Sequence, residues 1–169
     1  MGTKRIAVFN RSNYTSPLRW PKQFLYDLKC CIDRSQKGYC ESDLWCMSDW
    51  FLDTVPNMLD ELAQKRCGFP SYLEREYYDE HKEALAMSFD EFICWPADKS
   101  SEGYRIREQA NRECDDRWGD ILKEIAFYLH EAKIDDHTPL TNGKGVAYRM
   151  DCLHKGLELF EKHFEDFWD

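Results

Sequence analysis

The chain has 169 residues, 43% of them hydrophobic and 15% aromatic, with a formal net charge of −9. This length suits one domain and the apolar content supplies a core, which excludes disordered, collagen-like and low-complexity classes. The uncharged runs are far shorter than the roughly 20 residues of a membrane span, and no signal-peptide core is evident. We therefore expect a soluble intracellular protein without membrane association.

The charge is unevenly distributed along the chain. Residues 1–26 carry five basic and no acidic side chains, whereas the remainder carries 18 basic and 32 acidic ones. An acidic body repels polyanions, so we expect no non-specific nucleic-acid binding by that part. The basic segment is expected to pack on the acidic body or on a neighbouring subunit, which leaves a homo-oligomer open.

The first fifth of the chain combines an arm with one helix. Residues 1–20 are expected to be an irregular basic N-terminal arm, with room for one short strand over residues 4–10. A helix follows, since apolar residues recur every three or four positions as far as Gly38. Ser42 is a candidate N-cap for a second helix, which Pro56 should kink or split.

The rest of the chain is also helical in pattern. A third helix is predicted over Ser71–Trp95 and a fourth over Tyr104–Ala132. In the last helix, apolar residues alternate at steps of four and three, which predicts a packing seam. The seam consists of Val146, Met150, Leu153, Leu157, Phe160, Phe164 and Phe167. We therefore predict an all-α fold, a single-domain bundle of about five helices over residues 21–169.

Motifs for cofactor chemistry are missing from the sequence. No CxxC, HExxH or GxSxG pattern occurs, and the glycines of Gly143-Lys144-Gly145 lack the context of a phosphate-binding loop. The eight cysteines are expected to be reduced thiols, because no secretory signal accompanies them. The first expectation is therefore a protein with no cofactor, no metal and no catalytic residue.

Paired carboxylates provide a catalytic alternative. Glu80 and Glu83 lie three residues apart in the third predicted helix, and Glu113 and Asp116 do so in the fourth. Each pair shares a helical face, and two such helices packed together could hold Mg²⁺ for attack on a nucleotide phosphate. The arrangement resembles that of all-α nucleotide pyrophosphohydrolases. Solvated charged faces of amphipathic helices produce the same spacing.

Aromatic and basic side chains also alternate in and just after the arm. Such a segment could stack on a nucleobase and neutralise its phosphates. The same composition fits a strap that buries its aromatic residues on the bundle, and both interpretations stay open. The candidate ligand-binding residues are Arg11, Arg19, Trp20, Lys22 and Tyr26.

Three segments carry a family resemblance. The first comprises residues 38–45, 49–52 and 68–70, the second residues 116–125, and the third residues 156–169, ending in Phe-Trp-Asp. In this order they resemble a family of small uncharacterised proteins from tailed phages and prophages. The family has no assigned activity, so the resemblance implies no catalytic residue. It implies a phage origin and a place in the cytoplasm of the infected bacterial host.

The shared positions of this family have a structural interpretation. Trp45, Trp118 and Trp168 are expected to be large anchors at helix–helix contacts, because buried aromatic side chains dominate core energetics. Gly68 and Pro70 are expected to fix a helix end, as a glycine C-cap followed by proline.

The leading functional expectation is a non-enzymatic binding protein made during phage infection. It would recognise a host or phage protein, for example to block a host defence system. The acidic body suits docking onto a basic surface, which would make association sensitive to salt. The alternatives are a nucleotide-sequestering protein and the Mg²⁺-dependent pyrophosphohydrolase.

Overall fold

The computed structural model describes residues 20–96, 98–133 and 143–168. These residues form seven α-helices and one 3-10 helix, and none of them belongs to a strand, which confirms the all-α prediction. The elements are α1 (Trp20–Lys37), α2 (Glu41–Trp45), α3 (Met47–Lys65), α4 (Ser71–Leu85), α5 (Phe89–Ile93), α6 (Glu102–Ala132), α7 (Gly143–Lys162) and the 3-10 helix (Phe164–Trp168). The strand expected over residues 4–10 lies outside the described residues.

The chain divides into two compact units, Met1–Val55 and Pro56–Asp169. The arm boundary at residue 20 and the single bundle over residues 21–169 stay predictions. Within the described ranges, no helix combines the length and apolarity needed to cross a bilayer.

In the first unit, one ion pair ties α1 to α2. Gly38 has a φ of +81°, a left-handed conformation that ends α1 and costs glycine little. The Asp43 carboxylate then accepts hydrogen bonds from the Cys40 backbone N–H at 2.8 Å and from Arg34 Nε at 2.9 Å. The Arg34 bond is the main cause that lowers the Asp43 pKa to about 2. The N-cap of α2 is therefore Cys40, and the prediction of Ser42 at this position is wrong.

Two interruptions raise the number of helices above the predicted five. Cys46 separates α2 from α3, whereas α3 continues through Pro56, so the interruption falls ten residues earlier than a split at the proline. The third predicted helix ends at Ala86, whose φ is +51°. Ser88 then starts α5, since its Oγ accepts the Glu91 N–H at 3.3 Å and its own N–H donates to the Glu91 carboxylate at 2.8 Å.

The core of the second unit is built along α6, which begins only two residues before its predicted start. Its buried side chains recur every three or four residues, as expected for one face of a helix. They are Arg107, Ala110, Cys114, Trp118, Gly119, Leu122, Ile125, Ala126, Leu129 and Ala132. Trp118, one of the expected anchors, is only 1% exposed, and its ring lies 6.2 Å from that of Phe167 and 5.8 Å from that of His163.

Arg66, which follows α3, binds the middle of α6. Its Nη2 lies 2.7 Å from the Asp115 carboxylate, its Nε donates to the Asp115 carbonyl at 3.1 Å, and its Nη1 donates to the Ala63 carbonyl. The guanidinium lies directly on Gly119, where a Cβ atom would be 2.7 Å from Arg66 Cζ. This glycine therefore provides the space in which the guanidinium is seated.

The structure corrects two of the expected structural roles. Trp45 is 84% exposed, because the short helix α2 buries Asp43 instead, so Trp45 is not an anchor at a helix contact. A left-handed C-cap requires a positive φ, and among the described glycines only Gly38 has one. Gly68 is therefore not a left-handed C-cap. Pro70 is buried and is the N-cap of α4. The side chain of Trp168 lies outside the described residues.

Candidate functional site

Small and polar residues of α7 form its contact with α6. The two helices run antiparallel, because Arg149 Nε donates to the Ala132 carbonyl at 3.2 Å while Gly156 lies against Leu129. A Cβ atom on Gly156 would be 2.9 Å from Leu129 Cδ2, so the helices approach closely there. The buried or half-buried residues along this face are Arg149, Cys152, Gly156, Leu159 and His163.

The predicted seam of α7 is therefore displaced by one residue from the face that contacts α6. One residue corresponds to a rotation of about 100° around the helix axis. Four of the seven predicted seam residues are between 40% and 55% exposed: Val146, Met150, Leu157 and Phe164. The remaining three are half-buried: Leu153, Phe160 and Phe167. We use the name outer stripe for the four exposed residues, which run along α7 and onto the 3-10 helix.

An acidic edge accompanies the outer stripe. It consists of Asp151, Glu158, Glu161 and Glu165, all exposed. None of the four makes a hydrogen bond or an ion pair within the described part of the chain. Glu161 lies three or four residues from both Leu157 and Phe164, so it shares their face of the helix. At the end of the stripe, a shallow open depression is lined by both kinds of side chain, with Lys162 and Asp166 beside them.

The four carboxylates of the magnesium alternative do not form a metal site. Arg117 binds the Glu80 carboxylate through two nitrogens, at 2.8 and 3.1 Å, and lowers its pKa. Glu113 accepts a hydrogen bond from Gln109, and the side chains of Glu83 and Asp116 are exposed. Among the described residues, no group of three or more His, Cys, Asp or Glu side chains could hold a metal ion.

Only two of the candidate ligand-binding residues have described side chains. Lys22 and Tyr26 are exposed and lie four residues apart on α1, which places them on one face. A hydrogen bond with the Cys30 thiol is the main cause that raises the Tyr26 pKa. Trp20 begins α1, and its side chain, like Arg11 and Arg19, lies outside the described residues.

Two buried thiols lack the environment of a catalytic nucleophile. All eight cysteines are free. Burial raises the pKa of Cys114 to about 11, and its thiol donates to the Leu73 carbonyl at 3.5 Å. Burial also raises the pKa of Cys30. Because the thiolate is the reactive form, both thiols are neutral near pH 7.

Arg107 is an unusual buried residue that was not predicted from the sequence. Its side chain is 6% exposed and pairs with Glu74 through Nη2, while Nε and Nη1 have no hydrogen-bond partner among the described residues. The rings of Phe92 and Trp95 lie 5.1 and 5.4 Å from its Cζ, so cation–π contact replaces part of the lost hydration. No sequence motif marks such a position, because the arginine occurs in an otherwise ordinary helical pattern.

Comparison with known proteins identifies no relative. No family model, no curated protein and no solved structure matches this chain. The resemblance to phage proteins therefore stays a prediction, and the surface of α7 is the main basis for a functional argument.

Proposed function

We propose that this chain is a non-enzymatic binding protein that contacts another protein through the outer stripe of α7. The observation that supports this is the row of four exposed apolar side chains on a helix whose other face already packs against α6. Contiguous apolar surface rimmed by polar residues is typical of interaction sites. The alternating steps of four and three suit a helical partner, which can insert its own side chains between those of the stripe.

The resemblance to phage proteins extends the proposal to a place and a purpose. The protein is then phage-encoded, acts in the cytoplasm of the infected bacterial host, and binds a host or phage protein, for instance to inhibit a defence system. The excess of acidic over basic residues favours basic partner surfaces and an association that weakens as salt is added.

Capture of the full-length tagged chain from phage-infected cells tests the proposal, with native mass spectrometry as the readout. We expect a co-purifying protein that is lost when the stripe is changed by Leu157→Asp or by Phe164→Ala. Phe127→Ala is the matched control, because Phe127 on α6 is 53% exposed and Phe164 is 55% exposed. Both phenylalanines are half in solvent, so neither substitution should unfold the chain.

Each other outcome contradicts the proposal in a distinct way. A bare chain, or a partner kept by both stripe variants, would exclude the outer stripe as the binding face. A nucleotide released by heating would favour the nucleotide-sequestering alternative, with Lys22 and Tyr26 as the candidate binding residues. Hydrolysis of a nucleoside triphosphate with Mg²⁺ or Mn²⁺, removed by Glu113→Gln, would establish the hydrolase alternative instead.

A further inference from the structure

We infer that the partner of the outer stripe is a basic amphipathic helix. This inference rests on the proposed function and adds the chemistry of the partner. The stripe runs from Val146 to Phe164, about 27 Å at 1.5 Å per residue. A partner helix of roughly five turns matches this length. Met150, Leu157 and Phe164 recur every seven residues, which is the repeat that a packed helix presents.

The acidic edge decides the charge of the partner. Glu158, Glu161 and Glu165 lie three, four and seven residues apart, so these like charges repel each other along one side of α7. Lys155 and Lys162 lie three or four residues from Glu158, but neither forms an ion pair with the acidic edge within the described residues, whereas Glu80 is paired with Arg117. A helix with apolar residues on one face and Lys or Arg beside them would cover the stripe and neutralise the acidic edge together.

The same charges disfavour two other occupants. A second copy of α7 would bring two acidic edges to one interface, and like charges placed opposite each other oppose association. An anionic lipid surface would be repelled, because interfacial helices that bind such lipids carry Lys and Arg beside their apolar face. A basic helix alone satisfies both the apolar and the acidic parts of the surface.

Two synthetic peptides test this inference with the full-length chain. Each has three heptads with Leu at the a and d positions, and the two differ only in carrying Lys or Glu at e and g. Fluorescence anisotropy of labelled peptide would give the dissociation constants at low and high NaCl concentrations. We expect the Lys peptide to bind, to weaken as salt is added, and to bind at least tenfold more tightly than the Glu peptide.

Matched variants locate the binding. The combined variant Glu158→Gln, Glu161→Gln and Glu165→Gln should weaken the Lys peptide roughly tenfold, at about twofold for each exposed pair. The control variant removes three exposed acidic side chains elsewhere in the same unit and should change affinity much less: Glu83→Gln, Asp116→Asn and Glu124→Gln. Both variants change the net charge equally, so the comparison separates the acidic edge from overall charge.

Several results would overturn the inference. Equal binding of the two peptides would do so, and so would equal weakening by the two charge variants. Dimerisation of the chain in sedimentation, abolished by Phe164→Ala, would identify a second copy as the occupant. A cellular partner that is lost with Phe164→Ala but kept by the acidic-edge variant would leave the proposed function standing while this inference fails.

Discussion

Replacing Gly119 by alanine should destabilise the chain, and the reason lies in a side chain from another segment. In an ordinary helix interior this substitution stabilises by up to about 1 kcal/mol. Here the new Cβ would lie 2.7 Å from Arg66 Cζ and 2.8 Å from both Nη1 and Nη2. The Arg66 side chain is only 15% exposed. The guanidinium must therefore shift, and because the Arg66 side chain is largely buried we expect this shift to break its pairing with Asp115.

The expected magnitude follows from two opposing contributions. Hydrogen bonds to a charged group contribute roughly 1.5–3 kcal/mol, which exceeds the gain of about 1 kcal/mol in helix propensity. We therefore expect Gly119→Ala to lower the free energy of unfolding by about 0.5–2 kcal/mol. When Arg66 is already alanine the clash is absent, and the same substitution should raise the free energy of unfolding by up to about 1 kcal/mol.

Urea unfolding of the four chains of this double-mutant cycle would measure the effect, with tryptophan fluorescence as the probe. The two values for Gly119→Ala should differ by about 1.5–3 kcal/mol and have opposite signs. Gly145→Ala is a control, because Gly145 lies in α7 and a Cβ atom there would meet no described residue outside its own stretch of helix within 4 Å. If Gly119→Ala has the same cost with and without Arg66, the guanidinium is not seated on this glycine.

Three further predictions concern local features of the fold. The Asp43 pKa is lowered by Arg34, so its contribution to stability is complete above about pH 4 and lost as the pH falls towards 2. Asp43→Asn should remove that part of the acid dependence, measured as the unfolding midpoint against pH. Gly156→Ala should lower the free energy of unfolding by about 1 kcal/mol, because overpacking against Leu129 exceeds the propensity gain; a more stable variant would show that the helices can separate freely. Ser88→Ala should cost about 1 kcal/mol by removing the capping box of α5, and unchanged amide exchange in α5 would contradict this.

Sequence periodicity predicted the long helix α6 well and the orientation of α7 poorly, for one physical reason. In α6 the buried face contains the large apolar residues, Trp118 among them, so the apolar stripe and the core face coincide. In α7 the core face requires small residues, because Gly156 must approach Leu129. Four of the seven large apolar residues therefore lie on the outer face, and a search for apolar spacing centres on that face instead.

The break between α4 and α5 could have been found from sequence. Ser88-Phe89-Asp90-Glu91 has the spacing of a capping box, with a serine three residues before a glutamate. By contrast, the burial of Arg107 depends on which rings surround it after folding. The acidic edge could not be recognised either, since its meaning depends on knowing which face of α7 is exposed.

The two faces of α7 place different demands on substitution. On the face towards α6, Gly156 leaves no room, so changes that add volume should reduce the amount of folded protein. On the outer stripe, half of each side chain is already in solvent, and changes at Leu157 or Phe164 should leave folding nearly intact. A deep mutational scan that records abundance and biological activity separately would therefore divide one 20-residue helix into two interleaved sets of positions. Sequence changes in descendants of this chain would follow the same division. Side-chain size would be conserved on the face towards α6, and the side-chain chemistry that the partner requires would be conserved on the outer stripe.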